Sequence, residues 1–409
     1  MKGRIVLESA KRKKFTIKDI EVFLIGYSSL LIFVAIDNSL NMMMMLPVII
    51  CLIAIRIISK EKRVNNKKLF ISLIFLALIY CISTIINLII NTESINSLSI
   101  IRIFYYLEIF TYIYLIISNS FKKSHIKKIL KFNVNSSIII ACVLIFCFFY
   151  FGDIGKNSVK NIFGNYIEEN YTAALLSFNS ILLLYIVEFE DKNIVKLKYY
   201  LGLLILLYAT FLSGSRASFF AIAISSLYFL VKKYIFTKSA ITIKNIILIV
   251  ILFSLLMMII VNLQNILPEF IYNRFFNKSL NDYSNQTRLT YWKSGVIGFL
   301  KQPLLGYGVG NYSYFIPDML KLNKTVMAHN TYLDILLDVG IIGFSFYLYL
   351  VFSNIKYILK NIAKFFPICF VLFFTSFIVG AERTYFFWHG VVVLMLVSNL
   401  YDNINDNQL

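Results

Sequence analysis

The sequence predicts an all-α, polytopic integral membrane protein with about twelve transmembrane helices. Hydrophobic residues make up 59% of the 409 positions and charged residues only 15%. That is too little polar surface to cover a soluble protein of this size. Apolar runs such as "LFISLIFLALIYCISTIINLII" (69–90) recur along the chain, and exceed the roughly 20 residues that cross a bilayer core. Lys and Arg also alternate between successive connections, which is how helical membrane proteins record their orientation.

The expected spans are 20–36, 42–58, 69–90, 98–118, 135–152, 173–187, 198–212, 217–232, 245–263, 331–353, 365–380 and 385–401. Seven Lys/Arg fall in the first 19 residues, and no small-residue cleavage site follows the first apolar run. An uncleaved first helix with a cytoplasmic N-terminus is therefore expected. Segments 59–68, 119–134, 188–197, 233–244, 354–364 and the C-terminal tail then lie inside and carry most of the basic residues. The short outer loops 37–41 and 91–97 carry none. Both termini are expected on the cytoplasmic side of the membrane.

The organisation that follows is nine helices over 1–263, a long extracytoplasmic loop over 264–330, and three helices plus a tail over 331–409. About 65 residues without cysteine make a marginal soluble core, so the loop is expected to hold short helices lying on the membrane face. "RLTYWKSGVIGFLKQ" (288–302) places Leu289, Trp292, Val296 and Leu300 at helical spacing. The net charge of +19 is mostly a topology signal and an attraction to anionic lipid heads. Nucleic acid is not an expected partner. The five cysteines (Cys51, Cys81, Cys142, Cys147, Cys369) lie in apolar runs without metal-ligand spacing. They read as small core residues, and no cofactor or metal is expected.

Polar residues on the outer side ask for a reason. Arg216 sits in "LSGSRASF", a tight connection in which Ser213, Gly214, Ser215 and Ser218 surround a guanidinium. That set suits a phosphate; a lipid-headgroup anchor is the equal alternative. Arg288 opens the amphipathic stretch. Next comes "LLGYGVGNY" (304–312), whose Gly306, Gly308 and Gly310 permit positive φ and close backbone approach. A plain tight turn is as good a reading, and the spacing is not a dinucleotide fingerprint. In "MAHNTYLDILLDVGIIGF" (327–344), His329, one of three histidines, can act as a base or cap the helix. Asn330, Asp334 and Asp338 form one stripe running inward, and carboxylates at that depth should face protein or water. Arg102 and Glu108 in the fourth span are expected to pair with neighbouring helices. "ERTYFFWHG" (382–390), with Arg383, reads as an aromatic interface anchor.

In order, "SGSRAS", "R…YW…P…GYGVGNY" and "HNTYLDILLDVGIIG" resemble the O-antigen ligase and polymerase superfamily of bacterial membrane glycosyltransferases. The positions carrying the resemblance are Arg216, Arg288, Trp292, Pro303, Gly306, Gly308, Gly310, His329, Asn330, Tyr332, Leu333, Asp338, Gly340 and Gly343. Asp338 stands where Glu is more usual. "EENYTAALL" (168–176) loosely resembles a further Asn-containing motif of the family. The specific resemblance covers roughly residues 165–345.

The resemblance implies transfer of a glycan from a polyprenyl-diphosphate carrier to an acceptor hydroxyl on the outer membrane face. His329 would be the base, with Arg216 and Arg288 holding the diphosphate. Ser215, Trp292, Gly308, Gly310, Asn330, Tyr332 and Asp338 would contact substrate. The expected partners are the lipid-linked oligosaccharide donor, the acceptor glycan, the bilayer and other polysaccharide-assembly proteins. A polymerase of O-antigen or capsular type is the favoured member. A lipid A-core ligase and a protein O-oligosaccharyltransferase share the motifs. The rival from another class is a lipid-linked-oligosaccharide flippase, which performs no bond chemistry. Transporters often carry two similar halves, a symmetry this sequence lacks.

Overall fold

A computed structural model of the chain describes residues 16–34, 45–59, 67–90, 97–119, 121–151, 169–232, 283–310, 316, 318–321, 328–380 and 385–405. The described elements are helices: α1 (Ile17–Val34), α2 (Leu46–Ser59), α3 (Lys67–Ile90), α4 (Ser97–Ile117), α5 (Lys123–Phe151), α6 (Glu169–Glu188) and α7 (Asn193–Leu212). After them come α8 (Arg216–Val231), α9 (Tyr283–Lys301), α10 (Thr331–Asn354), α11 (Lys356–Lys360), α12 (Ile362–Ile378) and α13 (Tyr385–Asn405). Six of these are long and apolar enough to cross a membrane, and α2, α8 and α12 are shorter apolar helices. Eleven helices fall where the sequence places spans. The expected span 245–263, much of the loop 264–330, and Arg383 lie outside the described residues.

Helix α6 is the axis of the bundle. Its most apolar window is 83% buried, against 28% for α7 beside it. Ala173, Ala174, Ser177 and Ser180 let its neighbours approach closely. Buried hydroxyls bond back to the preceding turn, as Ser177 does to the Ala174 carbonyl (2.9 Å) and Ser180 to that of Leu176 (2.8 Å). These two hydroxyls are thus satisfied within the helix itself. Long apolar side chains on α3 and α7, such as Ile89 and Leu204, point outward.

Alternate helix ends gather at each end of the bundle, as the charge pattern requires. At one end Lys18 reaches Glu21 (3.0 Å) and Asn119 (2.5 Å), and Lys128 bonds Asp19 (2.7 Å). Lys131 pairs with Glu190, Arg56 with Ser118 (3.0 Å), and Lys232 with the Ala363 carbonyl (2.6 Å). Bonds from Lys128 and then Thr16 hold the Asp19 carboxyl well below the usual carboxylate range.

Two expectations need correcting. Phe386, Phe387 and Trp388 are not an interface belt but core residues, 0–1% exposed. Trp388 packs edge-on against Phe110 (5.9 Å) and Tyr347 (5.7 Å), because α13 lies inside the bundle and its aromatics meet protein. Of the five cysteines, Cys147 and Cys369 are buried, whereas Cys51 and Cys142 are exposed on the outward faces of α2 and α5.

Candidate active site

The histidine turn is built by the helix that follows it. The side-chain oxygen of Asn330 accepts from the amides of Tyr332 and Leu333 (both 3.1 Å), so Asn330 is the N-cap of α10. His329 precedes the cap and does not supply it. Its backbone is left-handed, with φ of 54°, a costly state for a residue with a β-carbon. Neighbouring contacts enforce it: Asp334 accepts from the Ala328 amide (3.2 Å), and Thr331 donates to the Val379 carbonyl (2.9 Å). A side chain on Gly380 would strike the Asp334 carboxyl (2.6 Å) and approach the His329 Cα (3.5 Å). The end of α12 is therefore pressed against this turn.

Helix α9 closes over the same turn. Tyr291 stacks on the His329 ring (6.5 Å between centroids, 17° between planes), and Trp292 sets its ring edge-on to Phe377 (5.2 Å). Close approach is possible because residue 295 is glycine, against Leu333 and Leu337. Arg288 lies one turn before Tyr291 and Trp292 on that side of α9 and is half-buried. The buried indole N–H of Trp292 has no partner among the described residues.

Below the histidine, α10 breaks at Gly340 (φ 63°, ψ −168°). A break strands carbonyls and amides that a membrane cannot hydrate. The segment 303–310 takes them up. Tyr307 donates to the Leu337 carbonyl (2.7 Å), Gly308 to that of Asp338 (2.9 Å), and Ile341 donates to the Pro303 carbonyl (2.8 Å). Asp338 accepts from the Gly310 amide (2.7 Å). Gly306, Gly308 and Gly310 all have positive φ. The Arg102 side chain of α4 occupies the space that a β-carbon on Gly310 would need. From α3, Ser83 donates to the Asp338 carbonyl (2.9 Å), Thr84 accepts from Val309 (3.0 Å), and Asn87 donates to Gly306 (3.0 Å).

The arginine turn joins α7 to α8 through Gly214 (φ 68°). Ser215 takes the N-cap backbone conformation but does not cap α8 with its side chain. Its hydroxyl instead reaches Asn170 (3.2 Å) and Ser218 (3.3 Å). Arg216 is the first residue of α8 and half-buried. The next residue along from Asn170, Tyr171, donates to the Gly380 carbonyl (3.0 Å). One turn of α6 thus touches the arginine turn on one side and, through Gly380, the histidine turn on the other.

The structure therefore brings Arg216, Ser215, Arg288, Trp292 and His329 to one end of the bundle, opposite the lysine-rich end. Asn330, Asp338, Gly308 and Gly310 lie there too, but the bonds described engage their polar groups within the protein. Tyr332 points its hydroxyl at the Phe373 carbonyl (3.0 Å). The sequence motifs contain Tyr171 and Tyr291 without giving either a role, and sequence reasoning missed Gly380 and the Ser83–Thr84–Asn87 stripe. The stripe had a signal, three polar residues on one side of an otherwise apolar helix.

Residues 201–348 match the family model described as O-antigen ligase. That similarity supports the O-antigen ligase and polymerase superfamily for this segment of the chain. The match runs from α7 into α10 and so holds Arg216, Arg288, the glycine segment and the histidine turn. Asn170 and Tyr171, which link these parts, lie before it. No curated protein matches the chain.

Proposed function

We propose that the protein is a polysaccharide polymerase of O-antigen or capsular type, working at the outer face of the bacterial cytoplasmic membrane. It transfers a glycan from a polyprenyl-diphosphate carrier to the hydroxyl of an acceptor glycan. The similarity of residues 201–348 to the O-antigen ligase model supports the coarser statement: proteins of that family are glycosyltransferase-like ligases and polymerases using lipid-linked oligosaccharide and acceptor glycan. The observation that supports transfer from a diphosphate carrier is the meeting of arginine turn and histidine turn across the first turn of α6.

The chemistry follows from those groups. A bond forms from the acceptor oxygen to the sugar C1, while the bond from C1 to the diphosphate oxygen breaks and the diphosphate leaves with the electron pair. A diphosphate needs its charge neutralised more than it needs a proton. Arg216 and Arg288 supply that through paired hydrogen bonds. His329 takes the acceptor proton, so its neutral imidazole is the working form and activity falls on the acid side. Ser215 and the indole N–H of Trp292 offer further donors to the diphosphate or first sugar. Asn330, Tyr332, Asp338, Gly308 and Gly310 shape the site by holding α10 and its break.

The test is purified protein in liposomes with a lipid-linked repeat unit, read as a ladder of polymer. A ladder that disappears in His329→Ala, with donor binding retained, is expected. Movement of intact donor between leaflets without any new glycosidic bond would favour the flippase and sink this proposal. Orientation is checked by single cysteines at positions 285 and 125, expected to label from opposite sides of the membrane, 285 from outside.

A further inference from the structure

The helix that carries Arg288 has a second apolar face. Leu289, Val296 and Leu300, at i, i+7 and i+11, lie on the side of α9 turned away from Tyr291 and Gly295. They are 61%, 49% and 68% exposed, and Leu304 just beyond the helix is 63% exposed. A soluble surface does not leave so much contiguous apolar area uncovered.

What covers this stripe is indicated by what it runs into. Ile341 and Ile342 of α10 bond backbone to backbone with Pro303 (2.8 Å) and Leu304 (3.3 Å). Those bonds set Leu304 beside two outward-facing isoleucines of a long apolar helix, whose exposed side chains must meet lipid. On the other flank, Trp292 packs on Phe377, itself 45% exposed on the apolar helix α12. The outer surface of α9 is thus continuous at both flanks with the lipid-facing surface of the bundle. Lys293 lies within the stripe and Lys301 at its edge, both exposed. Their stems can cover apolar surface while the ammonium groups meet anionic lipid heads.

We propose that α9 is docked in the bilayer leaflet at the site end of the bundle, with Leu289, Val296, Leu300 and Leu304 among the acyl chains. The helix is then held between two apolar surfaces: protein on the side of Tyr291 and Gly295, lipid on the other. Arg288 is placed at headgroup depth, where a lipid-borne anion arrives by lateral diffusion rather than from bulk water. The inference uses the membrane character of the bundle and not the glycosyl-transfer reading, so either can fail alone.

The test is spin-label accessibility in lipid nanodiscs. Single cysteines at 296, 300 and 304 are introduced into the full chain after its five native cysteines are replaced. A label at the exposed Asp318 is the aqueous control. Collisions with lipid-soluble oxygen should exceed those with a water-soluble nickel chelate at 296, 300 and 304, with the ratio reversed at 318. Preference for the nickel chelate at 296 and 300 would overturn the proposal. Protection from both reagents would overturn it equally, because a protein would then cover the stripe. Paired substitution Val296→Asn with Leu300→Asn should raise nickel accessibility at 304 several-fold if the stripe is the anchor, and leave it unchanged if it is not.

Discussion

Two histidines in this protein occupy opposite situations. His389 is 2% exposed within α13, and both its ring nitrogens are engaged. Nε2 faces the Asn133 carbonyl oxygen (2.8 Å) and Nδ1 the Tyr112 hydroxyl (3.0 Å). Asn133 in turn donates to Asn179 (2.7 Å), so its oxygen is an acceptor and Nε2 carries the hydrogen. One nitrogen donating and one accepting is the bonding of a neutral imidazole. His329 sits half-buried in a strained turn, with capping assigned to its neighbour. The contrast teaches that burial alone does not mark a catalytic histidine. A ring saturated by fixed partners ties helices α4, α5 and α13 together. The His329 ring instead stands on a left-handed backbone just before a helix start, stacked on Tyr291 of α9.

The contrast breaks most readily through His329 itself. His329→Ala should lower turnover by about 10²–10⁴-fold, the usual worth of a positioned base, while thermal stability and donor binding stay near wild type. Intact turnover would leave the strained turn without a purpose and remove the contrast. Arg216→Lys and Arg288→Lys should each cost on the order of 100-fold in rate, because an ammonium cannot make the planar paired contact of a guanidinium. Polymer yield from membranes with equal protein content measures this, and wild-type yield in both variants would favour the headgroup-anchor reading.

His389→Ala should do the reverse of His329→Ala. It leaves Asn133 and Tyr112 facing a void, at about 1–3 kcal/mol for each unsatisfied group. Melting temperature in detergent should drop, and rate per folded molecule should change little. Gly310→Ala should cost about 1–3 kcal/mol for the left-handed backbone, with further displacement of Arg102. Melting temperature and rate should both fall, since the 303–310 segment holds the break in α10. The smallest effect is expected at the cap: Asn330→Ala should lose about 1 kcal/mol, and Asn330→Ser should recover most of it. A large rate loss in Asn330→Ser with stability intact would assign Asn330 to substrate instead.

Much of this protein is written in local pattern. Bilayer-length apolar runs and alternating basic connections predict the helices, because a bilayer imposes both on any chain that crosses it. "SGSRAS" is likewise legible, since a turn glycine and a helix-start arginine act within a few residues of themselves; at "HNTYLDILLDVG" the sequence offers His329 as the cap, and the structure gives that place to Asn330. Other features were decided only by tertiary packing. "YFFWHG" has the composition of an interface belt, yet α13 lies inside the bundle and its aromatics and His389 are core. Asp338 and the three glycines could equally have cradled a ligand. Only the break at Gly340, and the carbonyls it strands, commits them to one another. The assembly of the site rests on Asn170, Tyr171 and Gly380, residues far apart in the chain whose contacts depend on how α6, α8 and α12 pack. Short-range chemistry can be read from residue types because backbone geometry enforces it nearby. Contacts across helices depend on which faces meet, and that is settled only when the whole bundle packs and most buried polar groups find partners within it.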